Sequence, residues 1–224
     1  YQELKENADA IIADPNSTTE SIQQAQYIKG QAILGESEIT IIDILTDFQS
    51  SANEDESFFA RLAATATSNA SVLEAADAMN AAGDLDEDEQ ATVGLTNTLA
   101  AIYVLDQYYE LDENGAPTGP KEGLTPTESL AGAISGGAHT YASNAANSLG
   151  SSLPDDQQEE ASNMGDNATD LENLNAAVND TGGLVDPYQY YDTSEDPAVT
   201  KNVDENSSAA SINAAIDYIY ANGN

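Results

Sequence analysis

The chain has 224 residues, 40% of them hydrophobic, and carries 40 acidic against 5 basic side chains for a formal net charge of −35. That hydrophobic content supplies one large or two small cores and excludes wholesale disorder, while the charge repels phosphate backbones and anionic lipid and excludes nucleic acid as a direct partner. The absence of cysteine excludes disulfides, zinc fingers and thiol catalysis.

Tyr1, Leu4, Ala8, Ile11 and Ile12 form a first helical stripe that Asp14, Pro15 and Asn16 stop. Ser17-Thr18-Thr19-Glu20 reads as a capping box with Ser17 as the cap. It opens a second helix through Ile22, Ala25, Ile28 and Ala32 to Gly35. Ser37 to Phe48 is rich in isoleucine, yet Ile41, Leu45 and Phe48 keep helical spacing, so a third helix is expected there. Phe58, Phe59, Leu62 and Ala66 mark a fourth, and Val72, Leu73, Ala76 and Met79 a fifth that Gly83 ends.

The longest apolar run, Ala91 to Tyr109, follows. Leu95, Leu99, Ile102, Leu105 and Tyr109 recur at steps of three and four, which predicts a central core helix over about 91–110. Asp112 to Gly123 is a turn-rich connection with Pro117, Gly119 and Pro120, and divides an N-terminal half, 1–115, from a C-terminal half, 116–224, the two packed as one unit.

Thr125-Pro126-Thr127-Glu128 combines a capping box with proline at the first helical position. It starts a helix carrying Leu130, Ile134, Tyr141, Ala145 and Leu149. Gly132, Gly136 and Gly137 lie in that helix, each costing about 1 kcal/mol relative to alanine, so another backbone is expected to approach closely, within the chain or from a second copy.

Pro154 opens a long polar helix with a thin stripe of Ala161, Met164, Ala168, Leu171, Leu174 and Val178 facing a single neighbour. From Asp180 to Asn206 the pattern is irregular, with Tyr188, Tyr190 and Tyr191 in a proline-bearing loop. Ser207 or Ser208 caps a last helix through Ile212, Ala215, Ile216 and Ile219. The expected fold is all-α: a multi-helix bundle or irregular helical-hairpin array of about eight or nine helices, with a long irregular loop before the last.

Ala25 to Gly35 (AQYIKGQAILG) resembles the first helix of a tetratricopeptide repeat, with Gly30 and Ala32 at the family's small-residue pair. The resemblance covers about a twentieth of the chain. The family's turn glycine falls two residues beyond Gly35, and no second copy stands at the roughly 34-residue period. The resemblance implies a tetratricopeptide-like helix pair and, by analogy, a partner-binding protein; an ordinary antiparallel helix hairpin is the alternative.

Two carboxylate clusters flank the central segment. Asp84, Asp86 and Asp88 alternate like the first ligands of a calcium loop, and Glu110, Asp112, Asn114 and Gly115 match positions one, three, five and six of one, with Lys121 where the closing glutamate belongs. A Ca²⁺ site at either is one expectation; the other is that the first cluster complements a helix N-terminus and the second forms a turn.

His139 is the only histidine, with Ser135 one helical turn before it and no nucleophile elbow around them. With 40 acidic residues, paired carboxylates carry no signal for glycoside hydrolysis. Tyr188, Tyr190 and Tyr191 offer broad, partly polar contact area for a partner, or else fold back over the helices. Gly132 and Gly136 mark a second candidate contact face.

Five Asn-x-Ser/Thr sequons occur, at Asn16, Asn69, Asn167, Asn179 and Asn206. Most stand near helix ends, where the same residue types cap helices. A chain beginning at Tyr1 fits removal of a leader, one that could have carried a lipid anchor. No run reaches the ~20 apolar residues of a membrane span.

The expectation is therefore a non-catalytic binding or scaffold protein, extracellular or in the cell envelope, in a saline or cation-rich setting; a halophile's cytoplasm is the other location. Its partners are another protein or copies of itself. The second expectation is a self-assembling subunit of a filament or surface layer with cations between copies, and the third is a hydrolase using carboxylates.

Overall fold

The structure, a computed structural model, describes residues 1–39, 62, 65–66, 69–83, 85–112, 116–150, 155–180, 185–192 and 199–222. Eight helices and two short strand pairs are present among them. In chain order they are α1 (Gln2–Ala13), α2 (Thr19–Glu36), α3 (Ser71–Asn80), α4 (Glu87–Tyr108), β1 (Tyr109–Leu111), β2 (Pro117–Pro120), α5 (Pro126–Ser135), α6 (Ala138–Leu149), α7 (Asp155–Val178), β3 (Tyr188–Asp192), β4 (Val199–Val203) and α8 (Ala209–Asn222). The helix expected over Ser37 to Phe48 lies outside the described residues beyond Ile39, as does most of the one expected around Phe58; Ile39, Leu62 and Ala66 are buried.

α4 is the axis. Asp86 caps it by accepting from the Glu89 backbone amide at 2.9 Å, while Glu89 returns a carboxylate oxygen to the Asp86 amide at 3.1 Å. This capping box starts the helix at Glu87, four residues before the apolar run begins, because a reciprocal cap satisfies free amide groups that an apolar start would leave bare. The single stripe read from the sequence is widened by burial of Val93, Thr96, Asn97, Thr98, Ala100, Ala101 and Val104.

Two hydrophobic cores meet on this helix. Val93, Leu99, Ala100 and Ile102 join Tyr27, Ile33, Leu34, Val72, Ala76 and Met79 of α2 and α3. Val104 and Leu105, with Tyr109, join Leu130, Leu171, Leu174, Val203, Ile212, Ile216 and Ile219. Leu73, Leu111 and Tyr141 touch both.

Several expectations are corrected. The cap of α2 is Thr18, which accepts from the Ser21 amide at 3.2 Å, and Ser17 instead donates to the Ile11 carbonyl at 2.7 Å. The helix expected through Gly132 and Leu149 is two helices. Gly137 adopts φ 88°, a left-handed conformation only glycine takes without strain, and this turns the chain between α5 and α6. α7 faces more than one neighbour: it runs along α6, and its C-terminal part also meets α5 and α8.

The segment after α4 is an antiparallel hairpin, Tyr109 opposite Pro120, with a register irregularity between Glu110 and Leu111. The stretch before α8 contains a second, Tyr188 opposite Val203 through Asp192 opposite Val199. Alternation carries that strand, since Tyr188 and Tyr190 face the core while Gln189 and Tyr191 face solvent.

Candidate functional site

At the N-terminal end of α4 the carboxylates of Asp86 and Glu89 cap the helix. Asp86 is its cap, as above, and Asp88 offers its backbone oxygen to the Thr92 hydroxyl at 3.1 Å. Asp84 lies outside the described residues. At the other end, the Asp112 carboxylate accepts from the Ala116 amide at 2.9 Å and closes the β1–β2 turn, the Glu110 carbonyl accepts from Thr118, and Asn114 lies outside the described residues. Lys121, at the position where a calcium loop ends in glutamate, pairs with Asp106 at 3.1 Å. Among the described residues no group of three or more His, Cys, Asp or Glu side chains is placed to hold a metal ion.

Ser135 and His139 do not share a helix, because Ser135 ends α5 and His139 follows the Gly137 turn in α6. The His139 Nε2 lies 3.2 Å from the Thr140 hydroxyl.

Gly132 and Gly136 pack within the chain. A side chain at Gly132 would strike the ring of Tyr108, and one at Gly136 would come within 2.7 Å of Val104, so both glycines let α5 settle on α4. The tyrosine group divides. Tyr188 and Tyr190 are buried in the C-terminal core, where Tyr190 stacks obliquely on Tyr218 with ring centres 5.7 Å apart; Tyr191 is 50% exposed. Tyr188 hydrogen-bonds Asp170, and burial, then that neighbour, drives its phenol upward in pKa.

The surface feature that sequence reasoning missed is on α1. Of the helical stripe read from the sequence, α2 covers only one side. Ala8 is buried, with Lys5 and Ile12 half-buried beside it, while Leu4 and Ile11 remain 50% and 40% exposed. Leu4 and Ile11 are two helical turns apart and therefore on one face. Tyr1, also exposed, lays its ring over Gly35 at the edge of that face. Salt bridges from Lys29 to Asp9 at 2.8 Å and Lys5 to Glu74 at 3.5 Å link α1 to α2 and α3. Glu3, exposed, lies further round the open side of the stripe, and Glu6, also exposed, lies on the far face of the helix.

Comparison with protein-family models, curated proteins and solved structures gives no match to this chain. Among the described residues no helix is long and apolar enough to cross a membrane.

Proposed function

We propose that the chain is a non-catalytic, exported or envelope-associated binding protein, and that the open face of α1 formed by Leu4 and Ile11 receives a helix of a protein partner. The carrying observation is the half-covered stripe: two large aliphatic side chains exposed on one helical face of an element otherwise anchored by two salt bridges. Exposed apolar side chains lined up along a helix suit the docking of a second amphipathic helix. Exposed Glu3, on a chain of net charge −35, favours a partner with basic residues beside its apolar ones. The tetratricopeptide-like helix Ala25 to Gly35 points to the same class of activity. It forms part of α2, and the residues in which a second helix of such a pair would fall, 40–61, lie outside the described residues.

A second reading, a self-assembling subunit, is favoured by the same apolar face but opposed by its charge: two copies would bring like carboxylates together unless cations bridge them. Light scattering at high salt with and without millimolar Ca²⁺ separates the two. A monomer under every condition supports the partner reading, and Ca²⁺-dependent polymers that Leu4→Ser and Ile11→Ser abolish support self-assembly.

A further inference from the structure

Two of the five sequons stand in turns that are copies of one another. Asp14-Pro15-Asn16-Ser17-Thr18 precedes α2, and Asp204-Glu205-Asn206-Ser207-Ser208 precedes α8. The Asn16 amide donates to the Asp14 carboxylate at 2.9 Å, and the Asn206 amide to the Asp204 carboxylate at 2.9 Å. Ser17 and Ser207 then bond back to the Asp14 and Asp204 carbonyls at 3.0 and 3.1 Å. The hydroxyl two residues past each asparagine becomes the helix cap, Thr18 accepting from the Ser21 amide and Ser208 from the Ser211 amide, both at 3.2 Å. The likeness continues in sequence through Ser21 and Ser211, Ile22 and Ile212, and Ala25 and Ala215.

The structure separates these two asparagines from the other three. Asn16 and Asn206 are exposed, in non-helical backbone, and so are the hydroxyl residues Thr18 and Ser208. Each side-chain amide makes one bond, to Asp14 at 3.0 Å and to Glu205 at 3.0 Å, so one of its two hydrogens is open among the described residues. Asn69 is half-buried, donating to the Ser37 carbonyl and accepting from the Ser71 amide. Asn167 is half-buried and lies inside the helical backbone of α7. Asn179 is exposed too, in the turn just past α7, and is set apart by its side-chain amide alone, which it directs to both the backbone and side-chain oxygens of Asn175 at 3.0 and 2.8 Å.

We propose that Asn16 and Asn206 are acceptor sites for N-linked glycan on the folded protein, and that Asn69, Asn167 and Asn179 are not. The donor is an oligosaccharide carried on a lipid phosphate. The asparagine Nδ2 forms a bond to the anomeric carbon, the bond from that carbon to the phosphate oxygen breaks, the lipid phosphate departs with the electron pair, and one amide proton passes to base. The backbone bonds that hold each turn, from the Asn16 and Asn206 amides to Asp14 and Asp204, involve no side-chain amide hydrogen, so the turn survives modification. The proposal rests on export only for where the chain meets the donor.

The test supplies the donor directly, which keeps its outcome independent of the partner proposed for α1. The folded chain is incubated with an N-oligosaccharyltransferase and lipid-linked oligosaccharide, alongside five synthetic peptides, one spanning each sequon, and the products are mapped by mass spectrometry. The expected result is that the enzyme modifies all five peptides but only Asn16 and Asn206 in the folded chain, with Asn16→Gln and Asn206→Gln each removing one glycan while circular dichroism stays unchanged. Modification of Asn69, Asn167 or Asn179 in the folded chain at comparable yield overturns the proposal. So does failure at Asn16 and Asn206 when their peptides are accepted.

Discussion

Asn80 and Asn97 clasp each other across α3 and α4. Asn80 Nδ2 donates to Asn97 Oδ1 at 2.9 Å, Asn97 Nδ2 donates to Asn80 Oδ1 at 2.8 Å, and Asn97 Nδ2 also reaches the Val93 carbonyl at 2.9 Å. Asn97 is fully buried at the heart of the axis helix. Asn80 is exposed, so the pair joins a buried amide to a surface one and fixes the register of α3 on α4, since sliding either helix by a turn would leave the buried Asn97 side chain short of a partner. Asn97→Ala is expected to cost about 2 kcal/mol, combining the loss of its hydrogen bonds with a small cavity. Asn80→Ala, which strands the Asn97 side chain, is expected to cost about 1–2 kcal/mol. Urea unfolding checks both, and the double variant should lose less than the sum of the two.

Gly30 gives α2 its closest approach to α3. A Cβ there would meet the Met79 side chain and stand 2.9 Å from the Ala75 carbonyl oxygen, an atom of a helix backbone that cannot swing aside. Gly30→Ala gains about 1 kcal/mol of helix propensity and loses about 2–3 kcal/mol to overpacking. The expected net is a destabilisation of about 1–2 kcal/mol in urea unfolding.

Tyr109 is 1% exposed, and its hydroxyl has no hydrogen-bond partner among the described residues. Burial drives its phenol well above the ordinary tyrosine range. Removing a buried hydroxyl that makes no bond relieves its desolvation at little packing cost, so Tyr109→Phe is expected to raise stability by about 1 kcal/mol, read as an upward shift in the thermal midpoint.

Tyr141 ties α6 to α3 through a 2.8 Å bond to Asp77. Burial first, then that bond and the carboxylate's charge, push its phenol from an ordinary 10.0 up to about 12. A folded-state value above the unfolded one means that its contribution is complete below pH about 10 and drains away as pH climbs towards about 12. A stability–pH curve for Tyr141→Phe should therefore fall less steeply than the parent's across that alkaline window.

Much of this fold was legible. Thr125 and Glu128 form the expected reciprocal cap, with Pro126 in the first turn, and Ser208 caps α8. Such signals are local, and nothing distant competes with them. What escaped depended on context. The close approach expected at Gly136 is present, against Val104, but Gly137 is a left-handed turn that ends one helix and starts the next, which the pattern of a single continuous helix hides. The alternation of Tyr188, Gln189, Tyr190 and Tyr191 is a strand signal in plain view. It was read as a loop because its pairing partner, Val199 to Val203, stands beyond a proline-bearing interval. The open side of α1 was the hardest to see, since the links that join α1 to α2 and α3, Asp9 to Lys29 and Lys5 to Glu74, run between separate elements.

The proposed partner face is tested most directly by photo-cross-linking in the cells that make the protein, with a photoreactive residue placed in turn at Leu4, Ile11 and, as a control on another exposed face of α1, Glu6. The prediction is a discrete adduct from positions 4 and 11 and none from position 6, with the adduct's mass distinguishing a partner from a second copy. Adducts of equal yield from all three positions, or none from 4 and 11, would contradict the assignment of α1 as the binding face.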